Sequence, residues 1–424
     1  DAGQFRKVQG IIRADKERRY VVPSAPGKRN TADQKITDLL YLCHAHAEQG
    51  IAFEEVFQLI GNRYLEIIKE LGLKLDLHPQ LEVVKGKIAS GATSDYAASR
   101  GEYLNGLIMA DLLGWDFIDP AEVIFFDQKG LFDPERTQEV ISTRLAKHEH
   151  AVIPGFFGSL PDGEIKTFSR GGSDITGAIV ARGAGADIYE NWTDVSGFLM
   201  ADPRIVNNPK SIERITYREL RELAYMGASV LHEETIFPVR EAGIPVNIKN
   251  TNAPDDPGTL IVSDQETRQR LGNITGIAGK KGFTVLTIEK ALMNMELGFG
   301  RRVLSILETN GISFEHMPSG IDTISLVIAD TELNQKLDKV MNEIKRECNP
   351  DAIEVSPDMA LVATVGLGMA DTPGMAAKLF TALSKANINV RMIDQGSSEI
   401  NIIVGVENQD FKKAVCAIYE EFVG

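Results

Sequence analysis

Residues 167–183, TFSRGGSDITGAIVARG, set an arginine, two glycines, a serine and an aspartate in a row. Paired glycines allow a tight bend and close backbone approach. Ser173 or Asp174 suits the start of a helix running through Ile175, Ala178 and Ile179 to a stop at Gly183. A glycine turn feeding a helix start presents bare N–H groups at the positive end of the helix dipole, and Arg170 adds a planar fork. Both suit a carboxylate or phosphate. The same residues serve equally well as a capped strand-to-helix connection, so this segment alone leaves both readings open.

Comparable polar groups recur along the chain. PSAPGKRN supplies Ser24, Gly27, Lys28 and Arg29, with Thr37 shortly after; GEYLNG sets Glu102 in an otherwise small and apolar helix; PGFFG supplies Phe156. NWTDVSGFLMADPR adds Thr193, Asp194, Gly197, Asp202 and Arg204. Each alone fits a cap or turn, but their recurrence after successive predicted strands argues for one shared site. Other chemistries find no support. GFGRRV, GLGMAD and GAGADI each lack the third glycine of a dinucleotide fingerprint, and no P-loop pattern occurs. His44, His46, His148, His150 and His232 have neither zinc-protease spacing nor a serine-hydrolase partner, so structural roles and no metal centre are expected.

The elements that must position these groups follow from the pattern. RRYVVPSAPG, WDFIDPAEVIFF, EHAVIPGFFG, ADIYENWTDVSG and GIPVNIKN each read as a buried strand ending in a Gly/Pro/Ser/Asp-rich loop, with helix-period segments between. That order predicts a mostly parallel sheet covered by helices on both faces. Ligands of such sheets gather at the carboxyl ends of the strands. The last part contains a repeat: residues 298–328 align without a gap on 374–404, an offset of 76, matching Leu307 with Leu383, Ile312 with Ile388 and Gly320 with Gly396. Each copy reads glycine, helix, strand, Gly/Ser turn, strand, then another amphipathic stretch, the order of a small ferredoxin-like α+β unit. A domain boundary is expected between Gly272 and Gly276, after NAPDDPGTLIVSD.

With 424 residues the chain is long enough for two or three domains. Its net charge of −15 argues against a general nucleic-acid or membrane-surface binder. Cys43, Cys348 and Cys416 form no metal or redox spacing and fit a reducing, cytoplasmic compartment. No apolar run approaches the roughly 20 residues of a membrane span, and no signal peptide opens the chain. AGQFRKVQGIIRAD reads as a helix already in course after Asp1, so a preceding segment is expected.

PGFFG, TFSRGGSDITGA, TDVSGFLMADPRIV and YMGASVLHEETIFPV, in this order and spacing, resemble the catalytic domain of the aspartate kinases of the amino acid kinase family. The tandem repeat, with VRMIDQGSSEI in its second copy, resembles that family's paired ACT regulatory domains. The resemblance implies a three-layer αβα sandwich of the carbamate kinase-like type over residues 1–272. Two ferredoxin-like ACT units would follow, at 273–350 and 351–424, and these can interlock. It also implies phosphorylation of the L-aspartate side-chain carboxylate by ATP with Mg²⁺, giving 4-phospho-L-aspartate, the first step towards lysine, threonine and methionine.

By match to the family motifs, Arg170 would hold the substrate's α-carboxylate and Glu102 its α-ammonium. Ser24, Thr37, Phe156 and Ser173 would shape the rest of the pocket, and Asp174 would organise a phosphate-neutralising lysine. Thr193, Asp194, Gly197, Asp202 and Arg204 would hold the nucleotide. An end-product amino acid, lysine first among candidates, would bind near Met293, Gly298, Phe299, Ser313, Glu315 and Asp322, on ACT domains that also build a homodimer or higher oligomer. Two departures stand out. The family's opening K-F-G-G-[ST]-S loop does not occur, and where some members carry a nucleotide-contacting lysine in the region of NIKNTN this chain has Asn252, with Lys249 as the substitute. The alternatives are a kinase for another acidic amino acid, such as glutamate or acetylglutamate, or a catalytically dead amino-acid sensor.

Overall fold

A computed structural model describes residues 1–169, 171–228, 231, 233–264 and 274–424, without the side chains of 233 and 234. Arg170, His232 and the linker expected at Gly272 lie outside the described residues. The chain forms two compact units, Asp1–Gly197 with Val230–Ser263, and Phe198–Ser229 with Asp264–Gly424.

The first unit runs through α1 (Ala2–Arg13), β1 (Tyr20–Val21), α2 (Ile36–Glu48), α3 (Glu54–Leu71), α4 (His78–Ala89), α5 (Ser94–Leu113), β2 (Asp116–Phe117) and α6 (Pro134–Leu145). It continues through β3 (Ala151–Val152), β4 (Phe157–Ser159), β5 (Ile165–Thr167), α7 (Gly172–Ala184) and β6 (Tyr189–Thr193). The segment carrying β7 (Arg214–Thr216) and α8 (Tyr217–Tyr225) belongs to the second unit; the first resumes with α9 (Phe237–Ala242), β8 (Val246–Asn250) and β9 (Thr259–Val262). All five segments read as strands contain one, but they divide between two sheets. β1, β3 and β2 lie side by side and parallel, while β6 and β8 pair in parallel and β8 pairs antiparallel with β9.

Alternation along β3 explains the layering. Val152 packs into a core with Ile36, Leu40, Leu104 and Ile108 from α2 and α5, whereas Ala151 and Ile153 pack with Ile141, Leu145, Ile179 and Val180 from α6 and α7. Successive strand residues face opposite ways, so helices cover both faces. α5 starts on Thr93, whose hydroxyl accepts the Tyr96 N–H at 3.2 Å, and ends on the left-handed Gly114. Its small residues bring it close to the sheet loops: a Cβ on Gly101 would lie 2.9 Å from the Ala25 Cβ, and one on Gly106 would overlap Pro154.

In the second unit β10 (Gly276–Glu289), α10 (Phe299–Thr309), β11 (Thr323–Ala329), α11 (Asp330–Leu333) and α12 (Leu337–Cys348) are followed by β12 (Ala352–Val365), α13 (Met375–Lys385), β13 (Met392–Asp394), β14 (Asn401–Glu407) and α14 (Phe411–Val423). The repeat reaches further upstream than the sequence alignment, because the same offset carries β10 onto β12 residue for residue. These two strands pair with each other, joining both copies in one antiparallel sheet of order β11-β10-β12-β14-β13. The copies differ in one strand. The second has β13, but the expected counterpart in the first is reduced to isolated bridges, His316 with Val327 and Ser319 with Ile324, around Pro318, which has no N–H to give. Glu219 of α8 ties its segment to this sheet. Its buried carboxylate accepts from the Thr216 N–H and hydroxyl at 2.9 Å each, the Thr275 hydroxyl at 2.5 Å and the Leu367 N–H at 2.7 Å. Among the described residues no helix is long and apolar enough to cross a membrane.

Candidate active site

At the carboxyl ends of β1 and β3 the two outgoing loops are bonded together, the Gly155 N–H donating to the Pro23 carbonyl at 3.1 Å. α5 reaches the same place. The Ala25 N–H donates to Glu102 Oε1 at 3.2 Å, and Asn105 Nδ2 donates to the Ser24 carbonyl at 2.6 Å. Both side chains are buried, and their other oxygens, Glu102 Oε2 and Asn105 Oδ1, have no hydrogen-bond partner among the described residues. Burial pushes the Glu102 carboxyl up to about 7, against the smaller opposing pull of the Ala25 N–H. The loop after β1 is clamped by Arg63 of α3, which donates to the Gly27 carbonyl at 3.1 Å and pairs with Asp33. Arg29 is engaged by Asp33 and Glu66 at 3.1 Å each.

The PGFFG loop lies directly on the start of α7. Phe156 holds a left-handed backbone, φ +86°, and its N–H donates to Thr176 Oγ1 at 3.0 Å and to the Gly172 carbonyl at 3.2 Å. A Cβ on Gly172 would lie 2.9 Å from the Phe156 Cα, and one on Gly155 would lie 2.7 Å from the Ser173 Cα. Backbones abut here, so only glycine fits. Ser173 and Asp174 do not cap the helix as the sequence suggested. Gly171 occupies the cap position at φ +53°, both residues fall in the first turn, and the helix stops at the left-handed Gly185, with Gly183 packed inside against Ile141. Asp174 Oδ1 accepts from Asn191 Nδ2 at 2.9 Å and its carbonyl from the Tyr189 hydroxyl at 3.1 Å; burial raises the pKa of that hydroxyl. Ser24, Glu102, Phe156 and Ser173 are thereby brought together beside Asp174, with Thr37 following Ile36, whose side chain lies over Gly101.

A second convergence lies where β6 and β8 end. The Thr193 carbonyl accepts from the Thr251 N–H at 2.8 Å and hydroxyl at 2.9 Å, and the Thr193 hydroxyl lies 3.3 Å from Asp194 Oδ1. Asn250 Nδ2 donates to Ser196 Oγ at 3.0 Å, which donates to Asp256 at 2.5 Å, and Gly197 turns at φ +93° against Thr259. Lys249 stands over the Trp192 ring, 5.5 Å from its centre, and Asn252 Oδ1 accepts from Lys7 Nζ of α1 at 2.8 Å. Asp202 and Arg204 belong to the second unit, where they pair with each other, Nε to Oδ1 at 3.0 Å; that guanidinium holds the Asp202 carboxyl below its usual range. Among the described residues no group of three or more His, Cys, Asp or Glu is arranged to hold a metal ion.

The residues expected to bind an effector fall in the first repeat copy. Gly298, at φ +79°, starts α10; Met293 and Phe299 are buried in the core of that copy. The Asp322 carboxylate and carbonyl take the Leu292 and Lys290 N–H groups at 2.8 Å each, and the Glu315 N–H donates to Val327 at 2.8 Å. Burial and a hydrogen bond to Glu315 push the Tyr225 hydroxyl up to about 12. Ser313 lines an open groove of about 640 Å³ along α10 with Arg301, Leu304, Glu308 and Phe314. Missed in the sequence were Asn105, Thr176 and Asn191. The available signal was Asn105 at i+3 from Glu102, which places both on one helix face.

Residues 2–250 match the amino acid kinase family and residues 362–422 the ACT domain. Aspartokinase 3 of Bacillus subtilis (strain 168) is 39% identical over 438 residues, covering 99% of this chain and 95% of that protein. The crystal structure of Clostridium acetobutylicum aspartate kinase, described as an allosteric enzyme, superposes with a TM-score of 0.94 at 63% identity, covering 100% of this chain and 96% of that one. Escherichia coli aspartokinase III, solved with aspartate and ADP, gives a TM-score of 0.70 at 26% identity, and solved with lysine and aspartate, 0.72 at 25%; each covers 99% of this chain and 96% of that one. The chain spans about half, or less, of the bifunctional aspartokinase/homoserine dehydrogenases that it also matches.

Proposed function

The chain belongs to the amino acid kinase family as an aspartate kinase, and from that premise we propose that it makes 4-phospho-L-aspartate under feedback control by an amino acid end product. The observation that carries this reading is the convergence of Ser24, Glu102, Phe156 and Ser173 at the carboxyl ends of β1 and β3, where one buried Glu102 oxygen has no partner among the described residues. An aspartate side chain is ionised at neutral pH, so it attacks without a general base. One of its oxygens bonds to the γ-phosphorus, the bond to the β–γ bridging oxygen breaks, and ADP leaves. The protein's task is alignment and charge neutralisation. Glu102 takes the α-ammonium, Arg170 the α-carboxylate, and Ser24, Thr37, Phe156 and Ser173 fill the remaining contacts. Asp174, bonded to Asn191, organises the lysine that neutralises the phosphoryl group.

Thr193, Asp194, Gly197, Asp202, Arg204 and Lys249 serve the nucleotide, which the E. coli relative holds as ADP. Mg²⁺ takes most of its ligands from phosphate oxygens and water, which suits the single carboxylates, such as Asp194, offered by the described residues. Lysine is the proposed effector, as in the E. coli complex, with Met293, Gly298, Phe299, Ser313, Glu315 and Asp322 around it on ACT units at 273–350 and 351–424. Binding inhibits only if it favours one of two arrangements of the protein. A cytoplasmic homo-oligomer built on the ACT domains, feeding lysine, threonine and methionine synthesis, completes the proposal. The test is turnover of ATP, Mg²⁺ and L-aspartate with hydroxylamine present. Aspartyl hydroxamate and ADP in equal amounts are expected, with none from glutamate or acetylglutamate. Lysine binding without hydroxamate would sink the kinase reading.

A further inference from the structure

Among the described residues, two buried oxygens at the aspartate site lack partners, and only one belongs to a residue with an assigned role. Glu102 Oε2 and Asn105 Oδ1 are both shielded from solvent and bonded to nothing among the described residues, although each side chain is only 6% exposed. Buried acceptors are nearly always satisfied in a working protein, so a pair left open at one place calls for a shared donor. The two side chains sit at i and i+3 on α5, which puts them on one face about one turn apart. Their other polar atoms hold consecutive residues of the β1 loop: Glu102 Oε1 takes the Ala25 N–H, and Asn105 Nδ2 takes the Ser24 carbonyl at 2.6 Å. The second bond also fixes which end of the amide is which. Reversing it would set Oδ1 against a carbonyl oxygen, so the free atom is an acceptor. One carboxylate and one amide acceptor, both buried on the same face of α5, match a primary ammonium, which has three donors and one charge.

Resting on the aspartate kinase reading above, we infer that Asn105 is a second acceptor for the α-ammonium of the acceptor amino acid, completing the seat that Glu102 begins. Asn105 supplies direction and Glu102 supplies charge. The consequence is a requirement for a free, protonated α-amino group, which sets this acceptor apart from one whose amine is acylated.

The test is steady-state kinetics of the full-length enzyme and its Asn105→Ala and Asn105→Asp variants, by hydroxamate formation, varying aspartate and ATP separately. Removing one hydrogen bond to a charged group should raise KM for aspartate about 10- to 100-fold in Asn105→Ala, with KM for ATP unchanged. Asn105→Asp keeps the free acceptor, but it turns an oxygen toward the Ser24 carbonyl and sets a second carboxylate on the Glu102 face of α5. It should raise KM for aspartate as well, with KM for ATP unchanged, and move the acidic limb of the kcat/KM profile for aspartate about one pH unit upward. The discriminating readout is the split between the two KM values, because an amide with no ligand contact would leave KM for aspartate unaltered. A buried water spanning the two oxygens predicts instead a lower unfolding midpoint with KM for aspartate unaltered, and that result overturns the inference, as would equal rises in both KM values. Wild-type turnover of aspartate in the same assay keeps the two readings apart. Active wild type with an unaltered Asn105→Ala KM removes this inference alone, and inactive wild type removes both.

Discussion

Glu102 is a charge stored where the free protein does not want one, and that has a measurable price in stability. Its carboxyl is raised from 4.5 to about 7, chiefly by burial, so the folded chain holds a proton that the unfolded chain has released between those two values. The sign follows directly: the folded state binds more protons than the unfolded across this window, so stability falls as pH rises from about 4.5 to about 7 and is level beyond. A gap of about 2.5 pH units at ~1.4 kcal/mol each gives roughly 3 kcal/mol at the upper plateau. Glu102→Gln keeps the shape and carries no charge in either state. The variant should be more stable than wild type by up to ~3 kcal/mol at pH 8 and by nothing at pH 4, while losing aspartate turnover. The assay is urea unfolding without aspartate, followed by tryptophan fluorescence. The chain has two tryptophans, Trp115 and Trp192, and both lie in the first unit, so the signal reports on the unit that carries Glu102. Equal stabilities at pH 8, or the same gain at pH 4 as at pH 8, would refute the argument.

Gly155→Ala would place a methyl 2.7 Å from the Ser173 Cα, and the shift needed to relieve it should lower kcat/KM for aspartate at least tenfold in the hydroxamate assay. The matched control is Gly10→Ala, which meets nothing within 4 Å in mid-helix and should raise stability by ~1 kcal/mol with kinetics unchanged. Glu219→Ala strands four donors, three of them on buried residues, and should destabilise the second unit by about 3 kcal/mol or more. Far-ultraviolet circular dichroism should report that loss at a denaturant concentration where tryptophan fluorescence has not moved. Asp322→Ala should raise the lysine concentration for half-inhibition about tenfold, read as a ratio to uninhibited turnover; an unaltered value would place the effector elsewhere.

Strand-end loops could be read from the sequence because their residues do two jobs at once. PSAPG, PGFFG and RGGSD stop a strand and contact a neighbour, and both demands select Gly, Pro and Ser. The helix start was read less well. Ser173 and Asp174 have capping side chains, but the cap is Gly171, at a left-handed φ of +53° where the Thr235 methyl already fills the space a side chain would need. Asn105 was overlooked for another reason: its partner, the Ser24 carbonyl, is 81 residues upstream, and only its i+3 spacing from Glu102 separates it locally from a polar residue facing water. In the repeat, α10 and α13 aligned because helices share a periodic face. β10 and β12 did not, since GIAGKKGFTVLTIE and AIEVSPDMALVATV satisfy the same pairing with different residues.

The glycine pair in RGGSD shows what this kind of motif encodes. Spacing and charge suggested a cradle for an anion, in which the missing side chains make room for ligand. Here the room is taken by protein: the Phe156 backbone lies over Gly172, and the Thr235 methyl lies where a side chain on Gly171 would go. The glycines thus act one step away from the substrate. They let two loops from different strands touch through their backbones, which fixes Ser173 against Gly155 and Asp174 against Asn191 without a long side chain between them. Backbone contact is stiffer than side-chain contact, because no rotamer can absorb a displacement. A site that works by alignment gains most from being built this way. The same logic makes its glycines intolerant of even one added carbon, although none of them carries a group that could bind anything.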